Sequence, residues 1–202
     1  MNKHFYFGEV VDGYAVRVLN EREARAGAGL LFVFAILSFL YAYRTMDFRY
    51  TSIFITFFMV DFFIRVLVNP KYAPSLIIGR FFVSRQQPEY VGAAQKRFAW
   101  SIGLALSIIM FWLVVMVEMM TPIKIYICVT CLVLLFSETA LGICIGCVLH
   151  NWIRKTPPTL CPGGVCEVRQ KDEIQRINPI QASIAVLALG IAGVFLYGAV
   201  HA

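Results

Sequence analysis

Six cysteines fall in three close pairs: Cys128 with Cys131, Cys144 with Cys147, and Cys161 with Cys166. Pairing this regular points to thiol chemistry or soft-metal binding more than six scattered core residues would. On a helix turning about 100° per residue, Cys144 and Cys147 share a face, and His150 continues the stripe. Cys128 and Cys131 point nearly the other way and lie about 24 Å back along a straight helix. The two helical pairs therefore cannot form one four-thiolate centre, and Cys128 and Cys131 read as small apolar residues packing helix against helix. In the third pair, Cys161-Pro162-Gly163-Gly164-Val165-Cys166, the Pro-Gly-Gly run supports a tight turn that brings two sulfurs together. Folding that loop back onto the helix end would gather four thiols and one imidazole.

Two chemistries fit such a cluster. A helical Cys-x-x-Cys beside a mobile second pair can pass a disulfide or a persulfide between them, with Cys144, Cys147, Cys161 and Cys166 as the reacting thiols. Alternatively, the same four residues, with His150 in reserve, can hold a tetrahedral zinc. No other cofactor is indicated. Covalent haem is excluded because Val148 follows Cys147 and Leu132 follows Cys131 where a histidine is required. With only His4, His150 and His201 in the chain, a buried haem pair is not expected either. Met59, Met110, Met116, Met119 and Met120 are irregularly spaced and read as core gap-fillers rather than a copper path. There is no Walker loop, complete dinucleotide fingerprint or Ser-His-Asp set.

The elements that must position these residues are membrane helices. Of 202 residues, 59% are hydrophobic and 15% charged, and mean hydropathy is +0.72, well outside the range of soluble domains. Five stretches approach the roughly 20 apolar residues needed to cross a bilayer: Ala26–Tyr43, Tyr50–Val68, Phe98–Val117, Pro122–His150 and Ile180–Val200. The expected fold is an all-α integral membrane bundle with a four-helix core (24–153) and a fifth C-terminal helix (180–202). A cytoplasmic segment (1–23) and a Cys-bearing cytoplasmic loop (154–179) complete it. Residues 1–23 are too polar for a signal peptide, so the first helix is expected to be retained. Between the second and third spans, Pro74–Val83 is too short to cross, and with Arg80 and Arg85 it reads as an interfacial or shallow re-entrant segment.

Outside the spans, one side carries Lys3, Arg17, Arg22, Arg25, Lys71, Arg80, Arg85, Lys96, Arg97, Arg154, Lys155, Arg169, Lys171 and Arg176; the other carries Arg44, Arg49 and Lys124. The positive-inside rule then puts the N-terminus in the cytoplasm and the C-terminus outside, across a cell inner membrane. The formal charge of +6 follows from topology and anionic headgroups of the lipid bilayer, with no nucleic-acid partner. Cytosolic thiols are kept reduced, which argues against a permanent structural disulfide and leaves cycling thiols or a metal.

Asp61, Arg65 and Glu138 fall well inside the spans, where ionisable groups are costly and demand partners. Asp61 and Glu138 are expected at similar depth with Arg65 bridging them, either as an ion-paired clamp or as a proton relay or ligand anchor. On a straight fourth helix Glu138 points away from Cys144 and Cys147. Gly142 and Gly146 read as close helix packing, with a kink as the alternative.

Several stretches together resemble a bacterial family of polytopic membrane proteins catalogued as a domain of unknown function: Val18 to Gly27, Asn69 to Pro74, Gln95 to Ala99, and above all Gly142-Ile143-Cys144-Ile145-Gly146-Cys147. The resemblance covers roughly residues 15 to 155. It implies a four-helix core ending in a Gly-x-Cys-x-Gly-Cys signature and no established activity; the Cys161–Cys166 loop and the fifth helix extend beyond it. In layout alone the chain is similar to the DsbB and vitamin K epoxide reductase enzymes, which place a helical Cys-x-x-Cys at a membrane face beside a quinone. Those enzymes serve the oxidising side of the membrane, whereas these thiols are expected to face the cytosol. The reading is cytoplasm-facing thiol redox or sulfur transfer, with a cytoplasmic thiol or sulfur-carrier protein as partner. A zinc-binding or scaffold protein is the rival, and small-solute transport the third option should Asp61, Arg65 and Glu138 line a wet cavity.

Overall fold

Asn20 starts the first helix. Its side chain accepts the Arg22 N–H at 3.2 Å and donates to Glu23 at 3.1 Å, satisfying groups that a helix start leaves open. Helix α1 therefore begins at Glu21 and runs to Thr45, starting before the apolar run at Ala26. The computed structural model describes residues 7–11, 14–117, 122–154, 179–184, 186–188 and 190. Along α1, Ala24, Ala28, Leu31, Ala35 and Ala42 are buried. This mostly small-residue stripe at helical spacing lets neighbouring backbones come close.

A short turn leads to α2 (Arg49–Phe63), which continues into a π-helical turn over Ile64–Val68. The extra residue per turn there ends with the Asn69 N–H on the Ile64 carbonyl at 2.9 Å. Pro74 then opens α3 (Pro74–Val83), because proline suits a first helical turn whose N–H has no partner anyway. The segment expected to lie at the interface is thus a short helix packed on α1. At Gly79 a Cβ would lie 2.8 Å from the Glu23 carbonyl oxygen and 2.9 Å from the Gly27 nitrogen, so backbone touches backbone. Gly79→Ala will separate α3 from α1 and lower stability by about 1–3 kcal/mol, read as the thermal midpoint in detergent. An unchanged midpoint would mean that the two helices part freely. The outer side of α3 exposes Ile77, Ile78, Phe81 and Phe82.

Two short strands correct the all-α expectation. β1 (Val18–Asn20) pairs antiparallel with β2 (Tyr90–Gly92), Leu19 opposite Val91. This clasp ties the approach to α1 to the approach to α4 (Ala93–Phe111), which extends through a second π-helical turn to Met116. Because α4 starts at Ala93 rather than Phe98, Lys96 belongs to the helix and not to a loop.

The largest correction concerns the fourth span, expected as one helix from Pro122 to His150. It is two helices, α5 (Pro122–Ala140) and α6 (Ile145–Arg154). Gly142, at φ +67°, turns the chain between them in a conformation open to glycine and strained for other residues. Among the described residues, four helices are long and apolar enough to cross a membrane: Glu21–Thr45, Arg49–Val68, Ala93–Met116 and Ile123–Ala140. Their outward side chains, among them Phe34, Leu37, Ile53, Phe57, Ile108 and Trp112, are exposed, a surface suited to hydrocarbon. The chain divides into a first unit, Met1–Glu167, and a second, Val168–Ala202. In the second, the described residues 179–184, 186–188 and 190 are helical, and the rest of the expected fifth span, Ile180–Val200, lies outside the described residues.

Candidate functional site

Cys144 sits where the chain enters α6. Its carbonyl oxygen accepts the N–H groups of Cys147 and Val148, both at 3.0 Å, and its Sγ lies 3.3 Å from the Cys147 nitrogen, whose N–H it accepts. The sulfur thus caps the helix start as a serine or aspartate oxygen would. Cys144 and Cys147 stand at disulfide distance, with Cα atoms 5.2 Å apart.

Packing of α6 on α4 then turns this pair into the protein. A Cβ at Gly146 would lie 2.6 Å from the Ala99 Cβ, so only glycine allows the approach, and the packing reading of Gly146 holds. Gln95 donates to Asn151 at 3.0 Å, and the rings of Phe98 and His150 lie 5.3 Å apart. Cys144 is left 4% exposed and Cys147 1%. Beside them is a cavity of about 150 Å³ between α2, α4, α5 and α6, lined among others by Phe62, Trp100, Leu135, Glu138, Cys144 and Leu149. The break at Gly142 therefore brings Glu138 and Cys144 to one cavity, which a straight helix would have prevented.

The expected bridge from Arg65 to both acids does not form. Arg65 Nε donates to Asp61 at 2.7 Å. The Ser75 N–H donates to Asp61 at 2.9 Å, and the Ser75 hydroxyl donates to the same carboxylate at 2.7 Å while accepting from Arg65. All three residues are buried. The circuit pins the start of α3 to α2, and nothing in it resembles a wet passage.

Glu138 instead meets Lys96, 2.6 Å away, and the same ammonium lies 2.8 Å from Glu21. Arg25, 3.2 Å from Glu21 and also near Glu89, balances the second carboxylate. Lys96 is wholly buried, although counted as a loop cation it would have faced headgroups. The sequence reading missed Glu21, Ser75, Lys96 and Trp100. Their signal was available: Lys96 and Trp100 are one turn apart, and a helix begun at Ala93 must turn both inward.

Cys128 and Cys131 lie within α5, both partly buried. Among the described residues, no three His, Cys, Asp or Glu side chains are gathered as a metal site requires. Cys161 and Cys166 lie outside the described residues, so the four-thiol cluster is not placed here.

Helices of this length and composition, with a buried Cys-x-x-Cys turn at one end, define a helical bundle of membrane type. The chain belongs to the family described as Domain of unknown function (DUF4395), which matches residues 19–155. No curated protein and no solved structure matches it.

Proposed function

We propose that the protein carries out thiol–disulfide exchange or persulfide transfer at the cytoplasmic face of the inner membrane, with Gly142 to Cys147 as its working motif. The observation that carries this reading is the Cys144–Cys147 pair at disulfide distance on a helix N-terminus beside a cavity. Cys144 is the attacking thiol. Its thiolate attacks one sulfur of a partner disulfide, forming a mixed disulfide and releasing the partner's other sulfur as a thiolate. Cys147 then attacks Cys144 Sγ and releases the first sulfur. Two thiols become one disulfide, and two electrons and two protons leave with the reduced partner. The Cys161–Cys166 pair is the relay, and a cytoplasmic thiol or sulfur-carrier protein is the external partner. Orientation rests on the distribution of Lys and Arg.

With Cys147→Ser the second step is lost, so the partner will remain covalently bound to Cys144, visible as a reducible adduct by mass spectrometry. Adding Cys144→Ser will abolish it. Metal and free thiols measured on the same anaerobic sample test the rival. About one zinc per chain with four protected thiols would make the cluster structural and overturn the redox reading.

A further inference from the structure

From the cavity shared by Glu138 and Cys144, we infer that Glu138 is the proton acceptor for the Cys144 thiol as it attacks, held ready by the buried ammonium of Lys96. This rests on the redox reading above and assigns the proton that reading leaves unplaced. Cys144 and Cys147 are nearly closed to solvent, so a proton leaving Cys144 needs a group inside the protein. Glu138 is the carboxylate that lines the cavity. Trp100, a residue 2% exposed, lines the same space, and its buried indole N–H has no hydrogen-bond partner. Glu138 and Cys144 thus line one space of about 150 Å³, with room for a water between them.

The other charges around Glu138 set its role. From α4 comes Lys96, 2.6 Å away; behind it on α1 are Glu21 and Arg25. On α2, Asp61 is closed on Arg65, whose guanidinium lies 5.1 Å from the Trp100 ring. On α6, the His150 ring lies tilted beside Phe98, and Cys131 on α5 also lines the cavity. Lys96 is thus a positioning residue, holding the Glu138 side chain in place while Glu21 is shared with Arg25. In the step itself the Cys144 S–H bond breaks, its proton passes to Glu138, and the sulfur electron pair forms the bond to the partner. The departing thiolate takes its proton from solvent. In the reverse direction Glu138 returns the proton to Cys144.

The test uses the full chain in detergent with Cys128→Ala, Cys131→Ala, Cys161→Ala and Cys166→Ala, reduced and then oxidised by 4,4′-dithiodipyridine. Two thiopyridones are released for each Cys144–Cys147 disulfide formed. Glu138→Gln will slow the first release about 100-fold at neutral pH, as loss of a general base does. A role in charge alone predicts the opposite sign, because removing a carboxylate near a developing thiolate favours the thiolate. An equal or faster rate therefore overturns the inference. Glu138→Asp keeps the charge on a shorter reach and is expected to slow release about tenfold or more. It carries the test where the Gln variant does not fold, and an unchanged Asp rate overturns the inference equally. If the unsubstituted pair releases no thiopyridone, the redox reading itself fails, a result distinct from either variant outcome.

Discussion

Lys96→Met will lower the stability of the bundle by about 3–5 kcal/mol, measured as the shift in unfolding on titrating detergent micelles with sodium dodecyl sulfate. Lys96 has no exposed surface, and its ammonium stands 2.8 Å from Glu21 and 2.6 Å from Glu138. Removing it leaves Glu138 unpaired inside a helical bundle and Glu21 dependent on Arg25 alone. The Coulomb attraction lost is larger here than in water, where a pair at 4 Å is worth about 1 kcal/mol. The heavier part of the cost is burial of carboxylates that have lost their counter-charge. Neutralising the set separates the two: Lys96→Met combined with Glu21→Gln and Glu138→Gln is expected to recover most of the loss, since whole buried ion sets are often replaceable. A single variant within about 1 kcal/mol of the parent would place these groups in contact with water.

Asp61→Ala comes next, at about 3–5 kcal/mol. One carboxylate here satisfies the Arg65 guanidinium, the Ser75 backbone N–H and the Ser75 hydroxyl. Alanine leaves a buried cation without its anion and a helix start without its acceptor. Asp61→Asn keeps one carbonyl oxygen and is expected to cost less. Because Ser75 lies in the first turn of α3, the loss should be local as well as global. Limited proteolysis between residues 69 and 74 will rise in Asp61→Ala before the rest of the bundle opens. The double variant Asp61→Leu with Arg65→Leu should recover stability without restoring protection of that segment, because Ser75 still lacks its acceptor. Protection equal to the parent in Asp61→Ala would mean that α3 is held by its packing on α1 alone.

Both predictions concern residues with at least one partner that spacing did not reveal. Asp61 and Arg65, one turn apart in the second span, announce a pair, and that pair forms. Glu138 has no opposite charge near it on its own helix, and the partner chosen for it by depth, Arg65, was already committed to Asp61 and Ser75. The ammonium that does reach it comes from Lys96, a residue at a helix boundary where hydropathy cannot separate loop from first turn. The same limit hid the break in the fourth span. Leu141 to Cys144 are apolar enough to continue α5, and only the positive φ of Gly142 ends it.

The sequence by itself determined the helical membrane class of the fold, four of the five expected spans, that the segment after Pro74 is too short to cross, and the Cys144–Cys147 motif, because each follows from composition or from spacing along one element. Tertiary structure decided which charges pair, which glycine packs and which turns, and that Glu138 and Cys144 share a cavity. Those outcomes depend on how α1, α4 and α6 approach one another. At such distances a single missing Cβ, at Gly79 or Gly146, sets which side chains can meet.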